Sequence, residues 1–324
     1  MRREVLPPHL GSKPGLPHWG RSTLLGAVLL SSSWMQPTPA GQNPALQDAS
    51  PQAGFYESTR PYLEMPLEQL VPFIPELSTI HTASGQQLLA PVLERTGERV
   101  DEFLRDIVNL AAREEVTQEK LGNNDAVQTS QQWEYNYLII IHRNEKPARL
   151  EEYRTDVAGK PVSQGGATKG FSVTSGFALK CIYLSTAHQQ ESTFLYLGDA
   201  KVGERNTYVV AFAQRPDRAS MAEFIHGPWG SRFVFVQGIA WIDQDTFQIL
   251  RLRTDLLGPP VDLRLTRQTT EVTFAETKLP DIDAPLWLPS RVNVYAMFDS
   301  QAFRNEHRYE NFERYRVSVN IITP

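Results

Sequence analysis

The side chains with catalytic potential are scattered through this chain without the spacing that catalysis needs. Ser175, in Thr-Ser-Gly, could be matched with His188 or His226 as a base, but no G-x-S-x-G elbow is present and no order or spacing links the three. His188-Gln-Gln-Glu191 is the one close pair of metal-ligating types, and its spacing fits no strong ligand pattern. Asp243 and Asp245 share one turn, where carboxylates commonly cap backbone N–H groups, and Asp281 and Asp283 lie in a Pro-flanked loop. Glycosidic chemistry would need two such carboxylates about 5–10 Å apart. Glu114-Glu115 and the acidic loop at 279–283 offer too few oxygens to hold Ca²⁺. His142 and His307 sit among charged strand residues and are expected to face water. Cys181 is the only cysteine, so no intrachain disulfide forms, and its apolar setting predicts a buried structural thiol. These residues point to no catalytic site, no metal and no cofactor.

The chemistry that remains is binding. A pocket for an acyl chain or other apolar group needs several hundred Å³ lined by apolar and aromatic side chains. Phe235, Trp241, Phe247, Ile249, Tyr295, Phe298 and Tyr315 are the candidates for inward positions. The same residues at period two are what any β core needs, and the sequence leaves both readings open.

The elements that would position them are mostly strands. Residues 233–256 read as two long strands joined by the polar turn Asp243-Gln-Asp-Thr246. After Gln131 further segments alternate in the same way: 135–141, 149–155, 177–185, 192–197, 206–214, 262–275, 291–298 and 315–321. Residues 158–176 carry five glycines and no apolar period, and are expected to form a long loop. Before the strands, apolar residues from Leu89 to Ala111 recur every three or four positions, predicting one amphipathic helix over Gln86–Glu115, with Gly97 as the point where it could break. Its polar face is acidic, unlike that of a membrane-surface helix. There is no βαβ alternation and no repeat. The expected fold is mainly β (α+β): a large curled antiparallel sheet or half-open β-barrel, with one long N-terminal amphipathic helix laid across it.

The N-terminus has a different character. Arg2, Arg3, Lys13 and Arg21 precede a short apolar run, Leu24–Leu30, and Ser/Thr/Pro-rich sequence then leads to Ala40. That order predicts a signal peptide over residues 1–40 with cleavage near Ala40, and so an exported protein of the periplasm or cell envelope. The run is too short to cross a bilayer core of about 30 Å. Residues 41–84 are expected to be a Pro/Gln-rich linker and extended segment, and 85–324 a single domain. Formal net charge is −5 overall, and residues 1–40 contribute +3 to it. The acidic remainder lacks the electrostatic footprint of a nucleic-acid binder.

Two stretches carry a family resemblance. Gly238-Ile-Ala-Trp-Ile-Asp243 followed by Thr246-Phe-Gln-Ile-Leu-Arg251, and Phe303-Arg-Asn-Glu-His-Arg-Tyr-Glu-Asn-Phe312 followed by Tyr315-Arg-Val317, resemble strand-and-turn words of the periplasmic lipoprotein-carrier and outer-membrane lipoprotein-sorting (LolA-like) proteins. The whole is more similar still to a large group of uncharacterised exported proteins of soil bacteria. The LolA-like resemblance implies an unclosed barrel lidded by helices that binds a lipid or acyl chain without catalysis. Two other readings stay open: a structural or interaction module that docks an envelope protein through aromatic loops such as Phe224–Trp229, and a hydrolase without a recognisable motif.

Overall fold

The computed structural model describes residues 29–31, 60–142, 149–162, 176–220, 223–227, 230–258, 265–280, 282–298 and 300–315. The turn expected at 144–147, most of the long loop at 158–176, Ser175, Asp281, residues 317–321 and nearly all of the expected signal peptide lie outside them, as do the side chains of 224–229. The strands in chain order are β1 (Leu29–Ser31), β2 (His81–Thr82), β3 (Leu110–Leu121), β4 (Val127–His142), β5 (Arg149–Thr155), β6 (Ser192–Val202) and β7 (Arg205–Gln214). They continue with β8 (Glu223–Gly227), β9 (Gly230–Val234), β10 (Val236–Asp243), β11 (Ile249–Leu256), β12 (Leu265–Thr277), β13 (Leu286–Phe298) and β14 (Gln301–Arg314). Eleven of them form one sheet in the order β2-β6-β7-β10-β11-β12-β13-β14-β3-β4-β5, and the edge strands β2 and β5 do not pair with each other. The sheet is antiparallel throughout and unclosed. Strand β1, within the expected signal peptide, pairs with β8 in a separate three-stranded sheet.

Both faces of the large sheet are covered near β7 and β10. On β10 the even positions Val236, Ala240 and Ile242 join the main core, while Ile239 and Trp241 belong to a second cluster on the opposite, outer face. That outer face is closed by residues 62–80, a strap of short helical turns that includes α1 (Leu67–Leu70). Prolines 61, 66 and 75 stand at or next to the starts of its turns, and Leu70, Ile74 and Leu77 insert against Trp241.

On the inner face lies α2 (Leu89–Asp106). Val92 and Val100 sit in the main core, with Leu89, Leu93, Phe103 and Leu104 packed against it, which is the stripe that three- and four-residue spacing demands. The helix is shorter than the expected Gln86–Glu115: Ile107 turns extended and residues 110–115 belong to β3. It runs through Gly97 without a break. A Cβ there would lie 2.7 Å from Gln189 Nε2 and 2.9 Å from Thr186 Cγ2, so the missing side chain is what lets the helix sit on residues 184–189. A second correction concerns residues 177–185. They form no strand; Lys180–Leu184 is a 3₁₀ turn whose Cys181, Tyr183 and Leu184 fill the core between helix and sheet.

Helix propensity alone favours alanine over glycine by about 1 kcal/mol. Gly97→Ala is nonetheless expected to lower stability in a urea titration by about 1–3 kcal/mol, because it overpacks this contact. A stabilised variant would show that the close approach does not hold.

Candidate functional site

The inner face under α2 is where the architecture leaves room for a ligand. Polar latches hold the helix there. Gln189 Nε2 donates to the carbonyls of Leu93 (2.7 Å) and Leu184 (2.8 Å), Arg99 Nε donates to the Thr246 carbonyl (3.2 Å), and Thr186 hydrogen-bonds Asp101. The Arg95 guanidinium lies 3.9 Å from the centre of the Phe247 ring. Beside the C-terminal end of the helix a cleft of about 920 Å³ opens. It is lined by apolar Phe103, Val108, Ile282, Leu286 and Trp287 and, to about the same extent, by polar and charged side chains of both signs, including Arg105, Arg314, Glu276 and Asp283.

The seven ligand-pocket candidates do not share this space. Phe247 and Ile249 lie in the core beneath the helix. Trp241, expected inward, faces outward under the strap, with Arg251 against its ring at 5.1 Å. Phe235 packs with Ala213 and Leu257 and touches Leu63 of the strap. Phe298 sits beside Leu265 and Ala296 in a separate cluster, and Tyr295 lies 5.0 Å from Arg267. Tyr315 is exposed. Periodicity cannot tell the two sides of β10 apart, because every residue of that strand is buried.

The interior also holds a group of ionisable side chains that sequence reasoning missed. Glu114, expected at the end of the long helix, is fully buried on β3. Arg154 binds it through two nitrogens, one at 2.7 Å, while His307 Nδ1 (2.8 Å) and the Tyr309 hydroxyl (2.8 Å) approach its Oε1. His307 is therefore not at the surface; it is fully buried, with the Phe177 ring 5.1 Å away. Glu152 accepts the backbone N–H groups of Gly176 (3.0 Å), Phe177 (3.1 Å) and Ala178 (3.1 Å), and the Tyr137 hydroxyl as well. This carboxylate pins the core-filling segment to the edge strand.

Burial by itself would raise the pKa of Glu114, but the charge and hydrogen bonds of Arg154 and the His307 contact hold it at about 2. Burial lowers that of His307 and raises that of Glu152. Burial pushes the Cys181 thiol up to about 12, so it is inert.

Of the residues considered for catalysis, His188 and Asp243 have these partners. The buried Glu191 carboxylate lies between His188 Nδ1 (2.8 Å) and the Ser220 hydroxyl (2.5 Å), while Ser175, the hydroxyl considered with His188, lies outside the described residues. Asp243 accepts the N–H groups of Asp245 (3.2 Å) and Thr246 (2.8 Å) and a two-nitrogen contact from Arg205, which is turn capping.

The signs fix how acid acts on the fold. Glu114 titrates below its ordinary value of 4.5, so its contribution is complete above that pH and is lost as pH falls towards about 2. His307 is depressed below 6.5, so its neutral form adds stability that is lost as pH falls below that value. Glu114→Gln, which leaves Arg154 buried without its counter-charge, should cost about 3–5 kcal/mol at pH 7 and flatten the pH dependence between pH 5 and 2, as read from urea midpoints. An unchanged acid profile would show that Glu114 does not titrate as described.

No protein-family model matches the chain, and no curated protein matches it. Among solved structures it is similar to a domain from Vibrio parahaemolyticus described as an outer membrane lipoprotein-sorting protein domain, with 13% identity, a TM-score of 0.38, and coverage of 71% of this chain and 95% of that one. It is also similar to a DUF1329 family protein from Desulfovibrio piger, with 14% identity, a TM-score of 0.35, and coverage of 71% and 94%. A LolA superfamily protein from Nitrosomonas europaea shows 10% identity, a TM-score of 0.32, and coverage of 70% and 97%. Lipoprotein-sorting and LolA superfamily proteins are thus among the structures this chain is similar to.

Proposed function

We propose that this protein is an exported, non-catalytic binding protein of the bacterial cell envelope that takes a lipid acyl chain or another apolar group between α2 and the inner face of its sheet. One observation carries the reading. An unclosed sheet is covered on its inner face by a latched helix, and a cleft of about 920 Å³ with apolar and charged lining opens alongside that helix. A volume of that size lies at the upper end of the range of roughly 300–1,000 Å³ typical of small-molecule sites. The export half of the proposal rests on the residue order before Ala40, and a protein of the envelope would be its partner for loading or delivery.

The test is uptake of a fluorescent fatty acid by the purified chain, with native mass spectrometry for lipid that co-purifies. Ile282→Trp, which fills the cleft from a half-buried position, should weaken uptake about tenfold or more, the effect of losing roughly one or two well-packed side chains' worth of contact. Phe73→Ser, at an exposed strap position, should leave it unchanged. Equal uptake by both variants, or none by the wild type, would contradict the reading.

A further inference from the structure

The inner face changes chemistry from one side of the sheet to the other. Register partners in an antiparallel sheet share a face, so one row of residues can be followed across it. On β6, β7 and β10 the row is Phe194, Phe212 and Gly238, and a Cβ on Gly238 would meet the Phe212 ring at 2.7 Å, so an aromatic ring closes this half. From β11 to β4 the same row reads Thr254, Thr270, Val294, Asn305, Gln118 and Gln131. That is five hydroxyl or carboxamide side chains in six positions, with no formal charge. Thr254, Thr270, Asn305 and Gln118 are all buried. At about 4.8 Å per strand the polar half spans roughly 24 Å along the curl.

Uncharged polar residues need not be buried in a row merely to fill a core, where valine serves as well. Nor are they all satisfied. Gln131 Oε1, the Trp133 indole N–H two residues along the same strand face, and Gln268 Oε1 in the flanking row are buried without a hydrogen-bond partner. Each such atom costs free energy until something meets it. Two are acceptors and one is a donor, and they flank side chains that both donate and accept. Hydroxyl groups have that dual character, and an indole beside carboxamides suits a sugar ring.

We infer that the ligand is an amphiphile with an uncharged, hydroxyl-rich head of glycosyl type, seated on the Thr270–Gln131 half of this row, with its apolar part running towards the cleft beside α2. The inference rests on the acyl-binding reading and names the head group for it. Lys120, in the next row, offers an anionic head its counter-charge, and that is the competing outcome.

Dodecyl maltoside and dodecyl phosphate share one tail and differ in the head. Titrated below their micelle concentrations into the full chain, with heat and tryptophan fluorescence as readouts, the maltoside should bind about tenfold more tightly, the effect of one or two satisfied hydrogen bonds. Gln131→Leu and Trp133→Phe, which conserve shape, should each erase most of that preference and leave dodecyl phosphate binding as it was. Equal binding of the two amphiphiles, or a preference for the phosphate that Lys120→Met removes, would overturn the head-group assignment and leave the acyl reading standing. Failure of both to bind would overturn both.

Discussion

An antiparallel sheet of eleven strands whose edges do not meet has to cover two faces with separate devices, and that constraint shapes the rest of this molecule. A closed barrel would bury its interior against itself. Here the outer face takes the 62–80 strap, fixed by Leu70, Ile74 and Leu77 against Trp241 and by Arg251 to Glu76 at 2.8 Å. The inner face takes α2 and the 3₁₀ segment beneath it. The two covers differ in how they are held. Buried apolar side chains seat both, and hydrogen bonds from Gln189, Arg99 and Thr186 add latches to the helix. Thr96 and Ser185, at the helix and the segment below it, bury hydroxyls that have no partner.

The buried ion cluster belongs to the same logic. Glu114, Arg154 and His307 are costly to take out of water, and a buried pair adds stability only when its remaining hydrogen bonds are met. Tyr309 and His307 meet those of Glu114, and Glu152 next to it gathers three backbone N–H groups. The cluster fixes where the core-filling segment attaches and which face of β3, β4 and β14 turns inward. It lies on β14, β3 and β5, towards the end of the sheet remote from the aromatic half of the inner face.

What the sequence made legible follows from that distribution of polar groups. The β10–β11 hairpin was readable because apolar residues dominate both arms, and Asp243 caps its turn as the residue types suggest. Strand β3 was hidden. Its Ala, Glu, Lys and Gln residues favour a helix, and two of its inward positions are Glu114 and Gln118, so period-two hydropathy is absent. His307 looked solvated because Glu306 and Arg308 flank it, yet those neighbours point the other way along an alternating strand. The aromatic candidates fell on both faces because a strand buried on both sides has no polar side to orient it. Residues 177–185 have strand composition, but Glu152, far off in sequence, sets the backbone of the residues at their start.

The most direct test of a ligand layer under α2 is hydrogen exchange of the intact chain with and without palmitate. Protection should change in Leu89–Asp106 and in 176–185, with the strap at Leu70–Leu77 unchanged. Unaltered exchange in the inner layer at saturating palmitate, or a change confined to the strap, would contradict it.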